Sequence, residues 1–106
     1  MSLTTDKEER KQTPIWSGVI CYFPLALAEV AKVSWTGNEQ HNPGEPLHWS
    51  RGKSDDHMDA AIRHMVDYAL GTKIDDDGGS HLAKAMWRIG AQLQLDEEER
   101  HALSSN

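Results

Sequence analysis

Residues 54–71 read Ser54-Asp55-Asp56-His57-Met58-Asp59-Ala60-Ala61-Ile62-Arg63-His64-Met65-Val66-Asp67-Tyr68-Ala69-Leu70-Gly71, and their spacing predicts a helix. Ser54 offers a capping hydroxyl, Asp55 and Asp56 put negative charge where the helix dipole favours it, and Gly71 supplies the stop. At about 100° of turn per residue, Met58, Ile62, Met65 and Ala69 share one face. Asp56, Asp59, Arg63 and Asp67 occupy the opposite face, with His57 and His64 on the flank. The same logic carries outward. Asp75-Asp76-Asp77-Gly78-Gly79 reads as a turn, after which Ser80 caps a helix over 81–95 with Leu82, Met86, Ile89 and Leu93 as its core face. His81, Lys84, Arg88 and Gln92 form a separate polar stripe on it. Upstream, Pro24 suits a first helical position, and a helix over 24–36 ends at Gly37-Asn38, with Leu27, Val30 and Ala31 on one face. No strand-like alternation of useful length interrupts these segments, so the expected class is all-α, three main helices with a long ordered loop.

A length of 106 residues allows one domain, expected over 13–103, preceded by a polar, flexible arm over 1–12. Residues 13–22 mix apolar side chains with Pro14 and Gly18 and are expected to be extended and packed, anchored by Trp16. Residues 37–53 carry Asn42-Pro43-Gly44 and Pro46 without a period, a loop long enough to be functional. Leu47, His48 and Trp49 give it something to bury. With hydrophobic residues at 38%, the core is modest and self-association into a homo-oligomer is expected to help. A net charge of −6 argues against duplex nucleic acid, whose binding draws on Lys and Arg along the phosphates. Cys21, the single cysteine, is expected to be a buried free thiol in a reducing compartment. No apolar run has the length of a membrane span, so a soluble cytoplasmic protein is expected.

The chemistry is concentrated on the second and third helices. Asp56 and Asp59, three residues apart, with Glu29 of the first helix, are candidate ligands for Mg²⁺ or Mn²⁺, provided the acidic face is covered by another helix or subunit. The plainer alternative is a solvated ladder in which Asp59, Arg63 and Asp67 pair along the helix. His57 and His64 are seven apart without cysteine company, which speaks against zinc, and His64 beside Arg63 is the better candidate for proton transfer. Lys73 stands where a calcium loop needs a ligand, which excludes calcium sensing. Asp75 and Asp77 most simply make the turn and the helix boundary, with contact to a metal or a ribose hydroxyl as the functional alternative. Lys84 and Arg88 suit a phosphate chain, and Trp49 on its long loop suits a nucleobase.

These residues fall in blocks that resemble the dATP/dGTP diphosphohydrolase N-terminal domain family of small bacteriophage proteins, from about Pro14 to Leu95. The blocks are Tyr22-Phe23-Pro24, Ala28-Glu29-Val30-Ala31-Lys32-Val33, Gly37-Asn38, Gln40-His41-Asn42-Pro43-Gly44, Leu47-His48-Trp49, Lys53-Ser54, Asp56-His57, Asp59, Arg63-His64, Asp67, Asp75, Asp77-Gly78, His81, Ala83-Lys84 and Trp87-Arg88. The resemblance implies hydrolysis of a purine deoxynucleoside triphosphate to monophosphate and pyrophosphate in phage nucleotide metabolism, in the cytoplasm of an infected host cell. It further implies kinship with MazG-type pyrophosphohydrolases, which are all-α oligomers using Mg²⁺ on helix carboxylates. This chain has Glu29 after Ala28 where that type pairs two glutamates. The expected site then has Glu29, Asp56 and Asp59 on the metal, and Asp67 assisting. His64 orients or deprotonates water, while Arg63, His81, Lys84 and Arg88 neutralise phosphate. His41, Asn42, His48 and Trp49 form the wall for the base. The competing expectation is a non-catalytic binder that sequesters a nucleotide, including a cyclic-nucleotide signal of the host.

Overall fold

Four helices and a π-helical turn make up the computed structural model, which describes residues 3–104. α1 is Lys7–Lys11, the π turn Trp16–Ile20, α2 Pro24–His41, α3 His57–Ala69 and α4 His81–Ser104. Helix is the only regular element among the described residues, apart from one isolated bridge between Ile74 and Ser80. No single helix is long and apolar enough to cross a membrane.

Several local expectations give way to better-satisfied alternatives. The arm is not featureless: Asp6 caps α1 by accepting from the Glu9 amide at 2.9 Å, with Glu8 and Glu9 in the first turn and Arg10 and Lys11 in the last. The segment after Pro14 coils instead of extending, and Trp16 is 69% exposed, so it anchors nothing within one chain. Cys21 is also exposed, contrary to the buried thiol expected of it. α2 runs past Gly37 to His41 because Asn38 faces inward and its Nδ2 donates to the Glu45 carbonyl at 2.8 Å, drawing the following loop back onto the helix. Ser54 does not cap α3; Asp56 stands at that boundary, and its side chain caps no helix amide.

α3 does stop at Gly71, by a Schellman closure. The Gly71 amide donates to the Tyr68 carbonyl at 3.0 Å and the Thr72 amide to the Asp67 carbonyl at 3.0 Å, with Gly71 at φ 101°. Ser80 caps α4 through the Ala83 amide at 3.1 Å, as expected. α4 then continues beyond Leu95, carried by Gln92–Asp96, Gln94–Glu98 and Arg100–Glu97 side-chain bonds along one helix of strong helix formers.

α4 packs against both α3 and α2. The contacting stripes are not the apolar ones. On α3 the buried side is His57, Ala60 and Ala61, with His64 half-buried, and on α4 it is His81, Ala85 and Ala91, with Lys84 and Arg88 half-buried. Small side chains let the two backbones approach closely, and Trp87 ties α4 to α2 by donating from Nε1 to Ser34 Oγ at 2.8 Å. The faces expected to form the core point outward instead. Met58, Ile62 and Met65 of α3 and Leu82, Met86, Ile89 and Leu93 of α4 are all between 41% and 58% exposed. Among the described residues, the buried hydrophobic side chains are those of Ala60, Ala61, Ala83, Ala85 and Ala91.

Candidate functional site

The inward polar stripes border a cleft of about 830 Å³. The second half of α2 forms one wall, the loop after it the rim, and the starts of α3 and α4 the floor. Of the residues expected at a site, Glu29, His41, Asn42, His48, Trp49, His64, Lys84 and Arg88 line it. Asp59, Arg63, Asp67 and His81 do not, and Asp56 reaches it only through Arg88, whose Nη1 lies 3.5 Å from Asp56 Oδ1.

At one end the site is aromatic. Trp49 meets Trp87 edge to face with ring centroids 5.9 Å apart, and the Arg51 guanidinium lies 4.4 Å above the Trp49 ring. Glu98 of α4 fixes Arg51 in turn, both carboxylate oxygens accepting from Nη1 at 2.5 and 2.6 Å, and these bonds hold the Glu98 carboxyl below its ordinary range. The loop tryptophan is therefore held in place from the far end of α4.

Beside this wall are two polar groups that sequence reading did not place in the site. His57 is 2% exposed, and its Nδ1 lies 3.2 Å from Nη1 of Arg88. A guanidinium only donates, so Nδ1 accepts and the ring proton sits on Nε2. That Nε2–H is buried and has no partner; neither has Oδ1 of Asn38, whose amide nitrogen is committed to Glu45. Both residues line the cleft. A buried donor and a buried acceptor left unpaired cost about 1–3 kcal/mol each. Asn38 was legible only as a helix end after Gly37 and as part of the Gly37-Asn38 block.

The other end is ionic. Lys84 Nζ lies 2.7 Å from Asp75 Oδ2 and 2.8 Å from Asp77 Oδ2, so its charge is already balanced twice over. The bond from Lys84, reinforced by the Asp76 amide, pulls the Asp75 carboxyl down to about 2, and Asp77 is lowered by the same lysine and the Gly79 amide. Burial draws the Lys84 ammonium down, but the two carboxylates outweigh it and raise it. The glycine at 79 makes room: a Cβ there would lie 3.0 Å from Lys84 Cε and 3.1 Å from Asp77 Oδ1. Next to this turn, His64 and His81 stand with their Nδ1 atoms 2.9 Å apart, and burial first, then the neighbouring His81, Lys84 and Arg63, lower the His64 pKa from its ordinary value.

Glu29, Asp56 and Asp59 do not come together in one chain. Glu29 is paired with Lys32 at 2.8 Å, Asp56 faces Arg88, and Asp59 lies on the outer side of α3. Among the described residues, the group of three whose ligand atoms do converge, within 4.8 Å of one another, is His64, Asp75 and His81. Their meeting depends on the turn that joins α3 to α4, so no spacing within a single helix reveals it.

Over residues 4–104 the chain matches the family described as dATP/dGTP diphosphohydrolase, N-terminal. No curated protein and no solved structure matches it.

Proposed function

Because the chain belongs to the dATP/dGTP diphosphohydrolase N-terminal family, we propose that it hydrolyses purine deoxynucleoside triphosphates to monophosphate and pyrophosphate, in phage nucleotide metabolism. The observation that carries the binding half of this reading is the aromatic wall of Trp49 and Trp87 in one cleft with the polar side chains of Asn38, His57 and Arg88. A purine offers donors and acceptors on its edge and a flat face for the indole, so it answers both features at once. The cleft volume lies within the range usual for ligand sites. The triphosphate would then run toward His64 and the start of α4, with Arg88 beside it.

Mg²⁺ on Glu29, Asp56 and Asp59 does not fit a single chain, since those carboxylates stay apart. This separation, with the double pairing of Lys84, favours as second reading a nucleotide-binding protein that holds its ligand without turnover, such as one sequestering a host cyclic-nucleotide signal. Incubation of the chain with dATP and dGTP in the presence of Mg²⁺ or Mn²⁺, followed by nucleotide chromatography, decides between them. Monophosphate and pyrophosphate support hydrolysis; nucleotide recovered intact from the denatured complex supports sequestration; nucleotide that never binds removes both.

The working form is a homo-oligomer. The support is the pair of half-exposed apolar faces on α3 and α4, the kind of surface that a second copy can cover. Nothing in the net charge of −6 suits duplex nucleic acid as a partner.

A further inference from the structure

The α3–α4 turn brings together side chains that are distant along the chain. Nδ1 of His64 lies 2.9 Å from Nδ1 of His81, and a carboxylate oxygen of Asp75 completes a triad of ligand atoms within 4.8 Å of one another. We propose that His64, Asp75 and His81 bind one divalent transition-metal ion, of the class of Zn²⁺, Mn²⁺ or Co²⁺, with both imidazoles ligating through Nδ1.

The donor set selects the metal. Two imidazole nitrogens and one carboxylate suit borderline ions, whereas Mg²⁺ prefers an all-oxygen octahedron. Nitrogens about 2.0–2.1 Å from a tetrahedral ion lie roughly 3.3 Å from each other. The two rings therefore need to part only slightly. Without metal, one Nδ1–H donates to the other Nδ1; on binding, the donating ring moves its proton to Nε2, and no net charge change on the imidazoles is required.

The surroundings have the character of an outer ligand shell. Asp67 Oδ2 lies 3.9 Å from Nε2 of His81, placing a carboxylate on the side of that ring away from His64, as ligating histidines usually have. Asp75 is steadied by Lys84 at 2.7 Å on one oxygen and by the Asp76 amide at 2.8 Å on the other, and each oxygen keeps a second lone pair. His81 is 3% exposed, so the ion would be shielded on that side, while His64 and Lys84 border the cleft. Three protein ligands leave room for water or a phosphate oxygen, the pattern of catalytic rather than structural sites. That last role rests on the nucleotide reading; the binding of the ion does not.

The test uses the untagged full chain without nucleotide, titrated with Co²⁺ or Zn²⁺ alone. One equivalent of Co²⁺ should bind with visible absorption from low-symmetry coordination, and Zn²⁺ should shift the ¹⁵N resonances of Nδ1 in both His64 and His81. His64→Gln and Asp75→Asn should each weaken Co²⁺ binding at least tenfold with helix content retained by circular dichroism. Equal Co²⁺ affinity in the wild type and both variants, or Nδ1 resonances unmoved by saturating Zn²⁺, overturns the proposal. The ¹⁵N result needs only wild-type protein, so it decides even if a variant fails to fold. Metal bound without nucleotide turnover leaves the site standing and removes only the hydrolytic reading.

Discussion

His57 owes its single tautomer to Arg88, and the unpaired Nε2–H that results is the most exacting polar group in the cleft. His57→Phe keeps ring volume and removes that donor. Nucleotide affinity is expected to fall about tenfold, near 1.4 kcal/mol, in isothermal titration, while the melting temperature changes little because an unpaired buried group is lost together with a hydrogen bond to Arg88. At the ionic end, Asp75 in the metal-free protein should titrate near 2 in a carbon-detected NMR pH series, and Lys84→Met should return it toward the ordinary carboxylate range. The sign follows from the lowered value. The Asp75–Lys84 pair contributes stability that is complete above the unfolded-state pKa of about 4 and is lost as pH falls through about 2. A place on the cleft was legible in sequence for His64, Lys84 and Arg88, from polar side chains at helical spacing, and for Trp49, from an aromatic ring on a long loop. Asn38 and His57 were not, because what distinguishes them is a bond their neighbours fail to complete.

Helix existence was legible for α2, α3 and α4, because caps and stops leave local marks: Pro24, Ser80 and Gly71 all act as expected. Gly71→Ala should therefore destabilise the protein by about 1–2 kcal/mol in urea denaturation, a purely conformational cost, since side-chain-bearing residues rarely adopt its φ of 101° while a Cβ there would meet nothing within 4 Å. Helix facing was not legible. Periodicity identifies an apolar stripe but not what covers it, and in α3 and α4 the alanine-and-histidine side turned inward while the methionine, leucine and isoleucine side stayed out. A small residue weighs little in any hydropathy pattern, yet Ala60, Ala61, Ala85 and Ala91 set how closely the helices approach. The continuation of α4 past Leu95 was half legible, because the acidic run over 96–103 reads equally as an extended or a frayed helix end until Gln92, Gln94 and Arg100 are seen bridging along it.

For the whole molecule, a hydrophobic interior built of alanines cannot supply what the exposed α3 and α4 faces still hold in reserve, about 1.5–3 kcal/mol for each large side chain fully buried. Thermal stability is accordingly expected to rise with protein concentration, and light scattering coupled to size exclusion should report more than one copy. Ile62→Asp paired with Ile89→Asp should dissociate or unfold the assembly, whereas the wild-type mass of a lone chain with a concentration-independent melting temperature would contradict self-association. The grip of Glu98 on Arg51 reaches further than its modest exposed charge pair suggests. It moors the Trp49 rim to the outlying turns of α4, so those turns serve as a guy-rope for the aromatic rim. A chain cut after residue 95 should keep the helical signal of the remaining residues and the floor beneath the base, yet release purine nucleotides faster, the slackened rim showing first in dissociation kinetics.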